Sequence, residues 1–148
     1  MKNVAIAATL CVAATASSGF AQQVKPENQI KLRKSAYALM NYNFGSLAAM
    51  AEDKKPYNRD EAIRNADMIA MLADVPKGFF GEGTDKGETR AKPEIWQKRA
   101  DFDAKMDKMI IEARKLPQAV RTDLAALRKA VGDAGDACQA CHDDYRNK

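Results

Sequence analysis

The feature that most limits what this chain can fold into is an apolar seam near its C-terminal end. It runs Val120, Leu124, Leu127, Val131, Ala134, Cys138, Cys141, Tyr145. Steps of four and three alternate along it without a break, which is the spacing of one face of an α-helix. Gly132 and Gly135 fall within the run, and each costs about 1 kcal/mol in a helix interior relative to Ala. The seam continues past both, so a single helix is expected, with two thiols on its core-facing side. Leu116-Pro117 is expected to turn the chain into it, because proline breaks the helix that precedes it.

The thiols belong to Cys138-Gln139-Ala140-Cys141-His142. C-x-x-C-H is the attachment signature of c-type haem. The two thiols form thioethers with the haem vinyl groups, and the adjacent imidazole reaches the iron as a proximal ligand. His142 is the only histidine in the chain, and Cys138 and Cys141 are the only cysteines beyond residue 21. A structural zinc site wants four ligands, and these residues supply three. A thioredoxin-like redox pair belongs with a βαβ pattern, which this sequence lacks. One haem c, held covalently by Cys138 and Cys141 with His142 as axial ligand, is therefore the expectation.

Residues 1–21 read as a secretory signal. Lys2 is the charged start, Val4 to Ala14 is an apolar run, and Gly19-Phe20-Ala21 is a small-x-small cleavage site. That run is too short to span a membrane. Cleavage after Ala21 leaves residues 22–148 as one exported, soluble domain, expected in the periplasm. The formal charge of +4 falls by one with Lys2, since residues 1–21 contain no acid. Two haem propionates would bring the holoprotein near neutrality. Basic and acidic residues are interleaved without a polybasic block, which argues against nucleic acid as a partner. No general base other than His142 and no carboxylate pair stand out, so an enzyme is not expected.

Four helices are expected, with no strand. The first starts at Pro26 with Glu27 in its first turn and presents Ile30, Tyr37, Met40, Phe44, Leu47 and Ala51 along a heptad seam. Arg33 also lies on that seam. It either snorkels to the surface or meets an anion at a buried edge, and a haem propionate would serve; the implied haem favours the second. Lys54-Lys55-Pro56-Tyr57 breaks this helix. Asn58 with Glu61 resembles a capping box that opens a second helix over 59–75. Ala62, Ala66, Ile69, Leu72 and Ala73 form its face, and Pro76 ends it. Ile63, Met68, Met71 and Val75 widen the face enough to serve a partner as well as the bundle. Residues 77–92 read as a long loop, with Phe79-Phe80 needing somewhere to pack. Pro93 opens the third helix, with Trp96, Phe102, Met106, Ile110 and Ala113 inward. That stripe is read as packing or as the lining of a cofactor cavity.

Across the span 22–148 the sequence closely resembles the cytochromes c', the high-spin class II c-type cytochromes. The resemblance is carried by Lys25-Pro26-Glu27, Arg33, Phe44-Gly45, Pro56-Tyr57, Phe80-Gly81-Glu82-Gly83-Thr84, Pro93-Glu94-Ile95-Trp96 and Ala137-Cys138-Gln139-Ala140-Cys141-His142 with Tyr145-Arg146. It implies an all-α, antiparallel four-helix bundle with the covalently attached haem inside. It also implies a homodimer packed through the first two helices and a five-coordinate iron with His142 as sole protein ligand. Tyr37 matches the side chain that covers the open distal face. Arg33, Lys34, Thr89 and Arg90 match positions at the haem edge, and Arg146 matches a basic residue on the proximal side. Nitric oxide and carbon monoxide are the implied ligands, with dioxygen disfavoured, and electron transfer to an unknown redox partner is a further implied role. The alternative is a low-spin, six-coordinate electron carrier similar to cytochrome c-556, in which a methionine, here Met40, closes the distal position.

Overall fold

The computed structural model describes residues 24–148. The expected leader and its cleavage site lie outside the described residues. Five α-helices follow in order: α1 (Pro26–Ala51), α2 (Arg59–Leu72), α3 (Glu94–Gln97), α4 (Arg99–Thr122) and α5 (Leu124–Tyr145), with a 3-10 turn at Val75–Phe79. The four long ones make an antiparallel bundle. α1 packs on α2 and α5, and α4 packs on the same two, so the helices close a ring. No helix among the described residues is long and apolar enough to cross a membrane.

Each boundary has a local cause. α1 begins on Pro26 and ends at Ala51. Beyond it Asp53 takes a φ of 59°, the left-handed turn usual after a helix. Arg128 of α5 closes that end by donating to Ala51 O (2.9 Å) and to both Asp53 carboxylate oxygens (2.6 and 2.7 Å). Asn58 caps α2, its Oδ1 accepting from Glu61 N at 2.9 Å. The return half of the capping box does not form. The Glu61 carboxylate instead accepts from Lys55 Nζ (2.5 Å) and Ser46 Oγ (2.8 Å), tying α2 back to α1.

Three expected boundaries are corrected. α2 ends at Leu72, short of Val75, which opens the 3-10 turn with Pro76 buried next to it. Pro76 has no N–H to donate to Leu72 O, so α-helical bonding cannot continue past Leu72. The expected third helix is interrupted at Lys98 (φ −117°, ψ 46°), giving the short α3 and the long α4. The kink lets Trp96 Nε1 donate to Gly81 O (3.0 Å) while Phe102 enters the core 1 % exposed. Pro117 does not end α4. The helix passes through it to Thr122, so Val120 belongs to α4. Ala113, Leu116 and Val120 are all buried on that stretch, and their packing outweighs the roughly 3 kcal/mol that an interior proline costs. The turn is made by Asp123 alone, whose Oδ1 accepts from Ala126 N at 2.7 Å. From there α5 runs unbroken through Gly132 and Gly135 to Tyr145, as its seam requires.

Leu47, Met50, Ile69, Phe102, Met106, Leu116, Val120 and Leu127 fill the centre of the bundle. Phe80 packs edge-on against Phe102 (4.8 Å between centroids), and Phe102 meets Tyr145 likewise (5.4 Å). These rings join the 80–93 loop to α4 and α5 at the end of the bundle that carries the C-x-x-C-H run.

Candidate haem-attachment site

Cys138 and Cys141 stand on adjacent turns of α5, both half-buried and both free thiols. Burial pushes both pKa values up; that of Cys141 reaches about 11, the neighbouring Cys138 adding to the rise and Lys105 opposing it. At neutral pH both are thiols, unlike the exposed, activated thiolate of a redox pair. His142 is half-buried beside them. Its pKa is lowered, first by burial, then by the charges of Arg146 and Arg90, so the ring is a neutral imidazole with a lone pair available for a metal. Arg146 Nη1 lies 3.3 Å from His142 Nε2. His142 lines a cavity of about 360 Å³ together with Lys92, Gln139, Asp143, Arg146, Asn147 and Lys148.

Among the described residues no three His, Cys, Asp or Glu side chains come together around one point that a metal ion would occupy. Two half-buried thiols beside an imidazole that lines an open cavity suit a ligand with several attachment points set apart. A porphyrin with two vinyl groups and a central iron has that form, so the donor set fits haem c.

Tyr37 projects from α1 towards the thiols. Its pKa is raised, first by burial, then by Cys141, with Cys138 contributing and Arg33 opposing. The ring is half-buried against the core, near enough to both attachment cysteines for their charge to act on its hydroxyl. Its hydroxyl donates to Met106 Sδ of α4 at 3.5 Å. Met40 lies one turn further along α1, 8 % exposed within the core.

Arg33 does not snorkel; it is 2 % exposed. Nη1 donates to Phe79 O (2.9 Å) and Thr84 Oγ1 (2.9 Å), and Nη2 to Thr84 O (2.7 Å) and Thr89 Oγ1 (2.8 Å). Its Cζ sits 4.3 Å over the Phe80 ring. Burial lowers its pKa, yet an arginine stays charged, and here four charge-assisted bonds hold that charge. Both terminal nitrogens are thereby engaged with the loop of 79–89, which Arg33 anchors to α1. Lys34 joins the same group through Nζ to Glu88 O at 3.0 Å.

Arg90 and Arg146 form a second group, around His142. Asn147 N donates to Arg90 O (2.8 Å) and Lys92 N to Tyr145 O (3.0 Å), stitching the end of the loop to the end of α5. Thr89 and Arg90 are adjacent in the chain, so the two groups meet there. Reading the sequence did not single out Thr84, which is fully buried, accepts from Arg33 and donates to Gly81 O at 2.8 Å. Nor did it give Met106 a role of its own. Thr84 stands in the quoted Phe80-Gly81-Glu82-Gly83-Thr84 run, but no local signal marks which residue of that run an arginine 51 positions away will choose.

The family model described as Cytochrome C' matches residues 28–146. Cytochrome c' of Rubrivivax gelatinosus is 41 % identical over 126 residues, covering 84 % of this chain and 98 % of that protein. Its crystal structure superposes with a TM-score of 0.80, covering 83 % of this chain and 98 % of that one. A nitric oxide complex of a mutant cytochrome c prime from Alcaligenes xylosoxidans superposes with a TM-score of 0.77 at 38 % identity, covering 84 % and 98 % of the two chains.

Proposed function

Because the chain belongs to the cytochrome c' family, we propose that it is an exported haem c protein whose five-coordinate, high-spin iron binds nitric oxide and carbon monoxide. The observation that carries this reading is Tyr37, half-buried on α1 and packed against the same core as Cys138 and Cys141 of the neighbouring α5. Bound haem supplies an iron centre for diatomic ligands and for one-electron exchange. Cys138 and Cys141 would hold it on α5 through two thioethers, and His142 would give the iron its one ligand from the chain. The Tyr37 ring would stand over the iron and keep water and large ligands out. Arg33, Lys34, Thr89 and Arg90 border the haem edge, Arg33 by holding the 79–89 loop in place, and Arg146 stands beside His142 on the proximal side. Electron transfer to a redox partner is compatible with the same site.

Ligand titration of the reduced holoprotein tests the reading. Nitric oxide should bind one per haem and carbon monoxide weakly. A protein that takes up neither would contradict it. Met40 is buried one turn from Tyr37, which sustains the low-spin alternative in which its sulfur closes the distal position.

The chain assembles, on this reading, as a homodimer through α1 and α2. Leu39, Tyr42 and Met71 are 51, 79 and 69 % exposed, and Leu32 and Met68 continue the same apolar surface. Leu32 and Leu39 are seven residues apart on α1, hence on one face, and a two-fold contact would cover the stripe with its own copy. Ile63 is half-buried against the core instead. Sedimentation at micromolar concentration should give a dimer that Leu39→Glu converts to monomer. A wild type that is monomeric throughout would sink this arrangement.

A further inference from the structure

The phenol of Tyr37 has a single proton to donate, and its direction matters to any ligand beside it. That proton goes to Met106 Sδ, 3.5 Å away and 69 residues distant in sequence. Met106 is 1 % exposed and locked in the centre of the core. A phenol packed against a core favours an acceptor within the protein, and the described buried side-chain nitrogen and oxygen atoms all have partners. Met106 is the partner of this one.

We propose that Met106 is a specificity-determining residue, which holds the Tyr37 hydroxyl and so withholds the hydrogen bond that would favour dioxygen over carbon monoxide. This rests on the reading of Tyr37 as the distal cover. Dioxygen gains more from a nearby donor than carbon monoxide does, because charge gathers on its outer atom when it is held. Sulfur is a weak acceptor, so an oxygen atom in the right place would compete for the proton. But a ring that turns its hydroxyl to a ligand gives up the bond to Met106, which is packed in the core at 1 % exposure. A ligand arriving beside Tyr37 therefore meets the ring's bulk without its donor.

The test uses the reduced holoprotein and two readouts: the ratio of dioxygen to carbon monoxide affinity, and the C–O stretching frequency of the carbon monoxide complex. Met106→Leu keeps the volume and removes the acceptor. It should raise the affinity ratio about fivefold, the size of one hydrogen bond, and lower the stretching frequency. Tyr37→Phe should cancel the gain in the Met106→Leu background, because it removes the hydroxyl and keeps the ring. The proposal is overturned if Met106→Leu leaves the ratio and the frequency where they were. It is equally overturned if Tyr37→Phe alone lowers the ratio several-fold, since the hydroxyl would then already serve the ligand. If carbon monoxide binding does not respond to Tyr37→Ala, the distal cover itself fails. A response to Tyr37→Ala with none to Met106→Leu condemns only the role of Met106.

Discussion

Replacing Cys138 and Cys141 together with Ala is expected to take covalently bound haem from one per chain to none. Both thiols lie on the core-facing side of α5 and are protonated at neutral pH, the form that adds across a vinyl group. With both sulfurs gone, His142 alone remains to hold the haem, and a single coordinate bond does not survive acid. Cys138→Ala or Cys141→Ala alone should leave one thioether and a haem still carried by the chain. Intact mass after acidic, denaturing extraction reads all of this directly. The same spectrum tests export, since cleavage after Ala21 makes the wild-type chain begin at Gln22. Haem that extracts freely from the wild type would overturn the attachment.

Carbon monoxide should bind Tyr37→Ala about tenfold more tightly and associate faster, with the haem still attached. In the wild type an entering ligand must push aside a ring that is packed against the core near the thiols and bonded to Met106. Breaking that bond costs about 0.5–1.5 kcal/mol, and moving the ring within a packed bundle adds to it. Tenfold corresponds to about 1.4 kcal/mol, the lower end of the combined cost. Nitric oxide, which binds ferrous haem far more strongly, should respond less in practice. Flash photolysis of the carbon monoxide complex gives both rates. Unchanged rates would mean that Tyr37 does not cover the iron, and Met40 would be the next side chain to test.

The parts of this fold that can be read from the chain are the ones fixed by neighbours in sequence. The seam of α5 ran through Gly132 and Gly135 because helical periodicity depends on residues three and four apart. The cap at Asn58 needed only Glu61 N, three positions on. The C-x-x-C-H run carries its chemistry within five residues. What escaped notice depends on distant partners. Pro117 looked like a stop by its own propensity, but the burial of Leu116 and Val120 carries α4 past it. Lys98 has no sequence mark of a kink; Trp96 reaching Gly81 O and Arg99 Nη1 reaching Phe80 O (2.9 Å) go with it. Glu61 looked like half of a capping box until Lys55 and Ser46 claimed its carboxylate. Arg33 was visible as a charge on an apolar seam, whereas its acceptors at Phe79, Thr84 and Thr89 are set by how the loop folds back. Met106 was one residue in an inward stripe, and only the meeting of α1 with α4 gives its sulfur a task.

The central claim is an iron left open on the Tyr37 face, with His142 as its one ligand from the chain, and the visible absorption spectrum of the reduced holoprotein tests it most directly. A five-coordinate, high-spin haem has a broad band without a sharp α peak, and that is the spectrum expected here. A sharp α peak in the reduced protein, lost in Met40→Leu, would show a sixth ligand from α1 and contradict the claim.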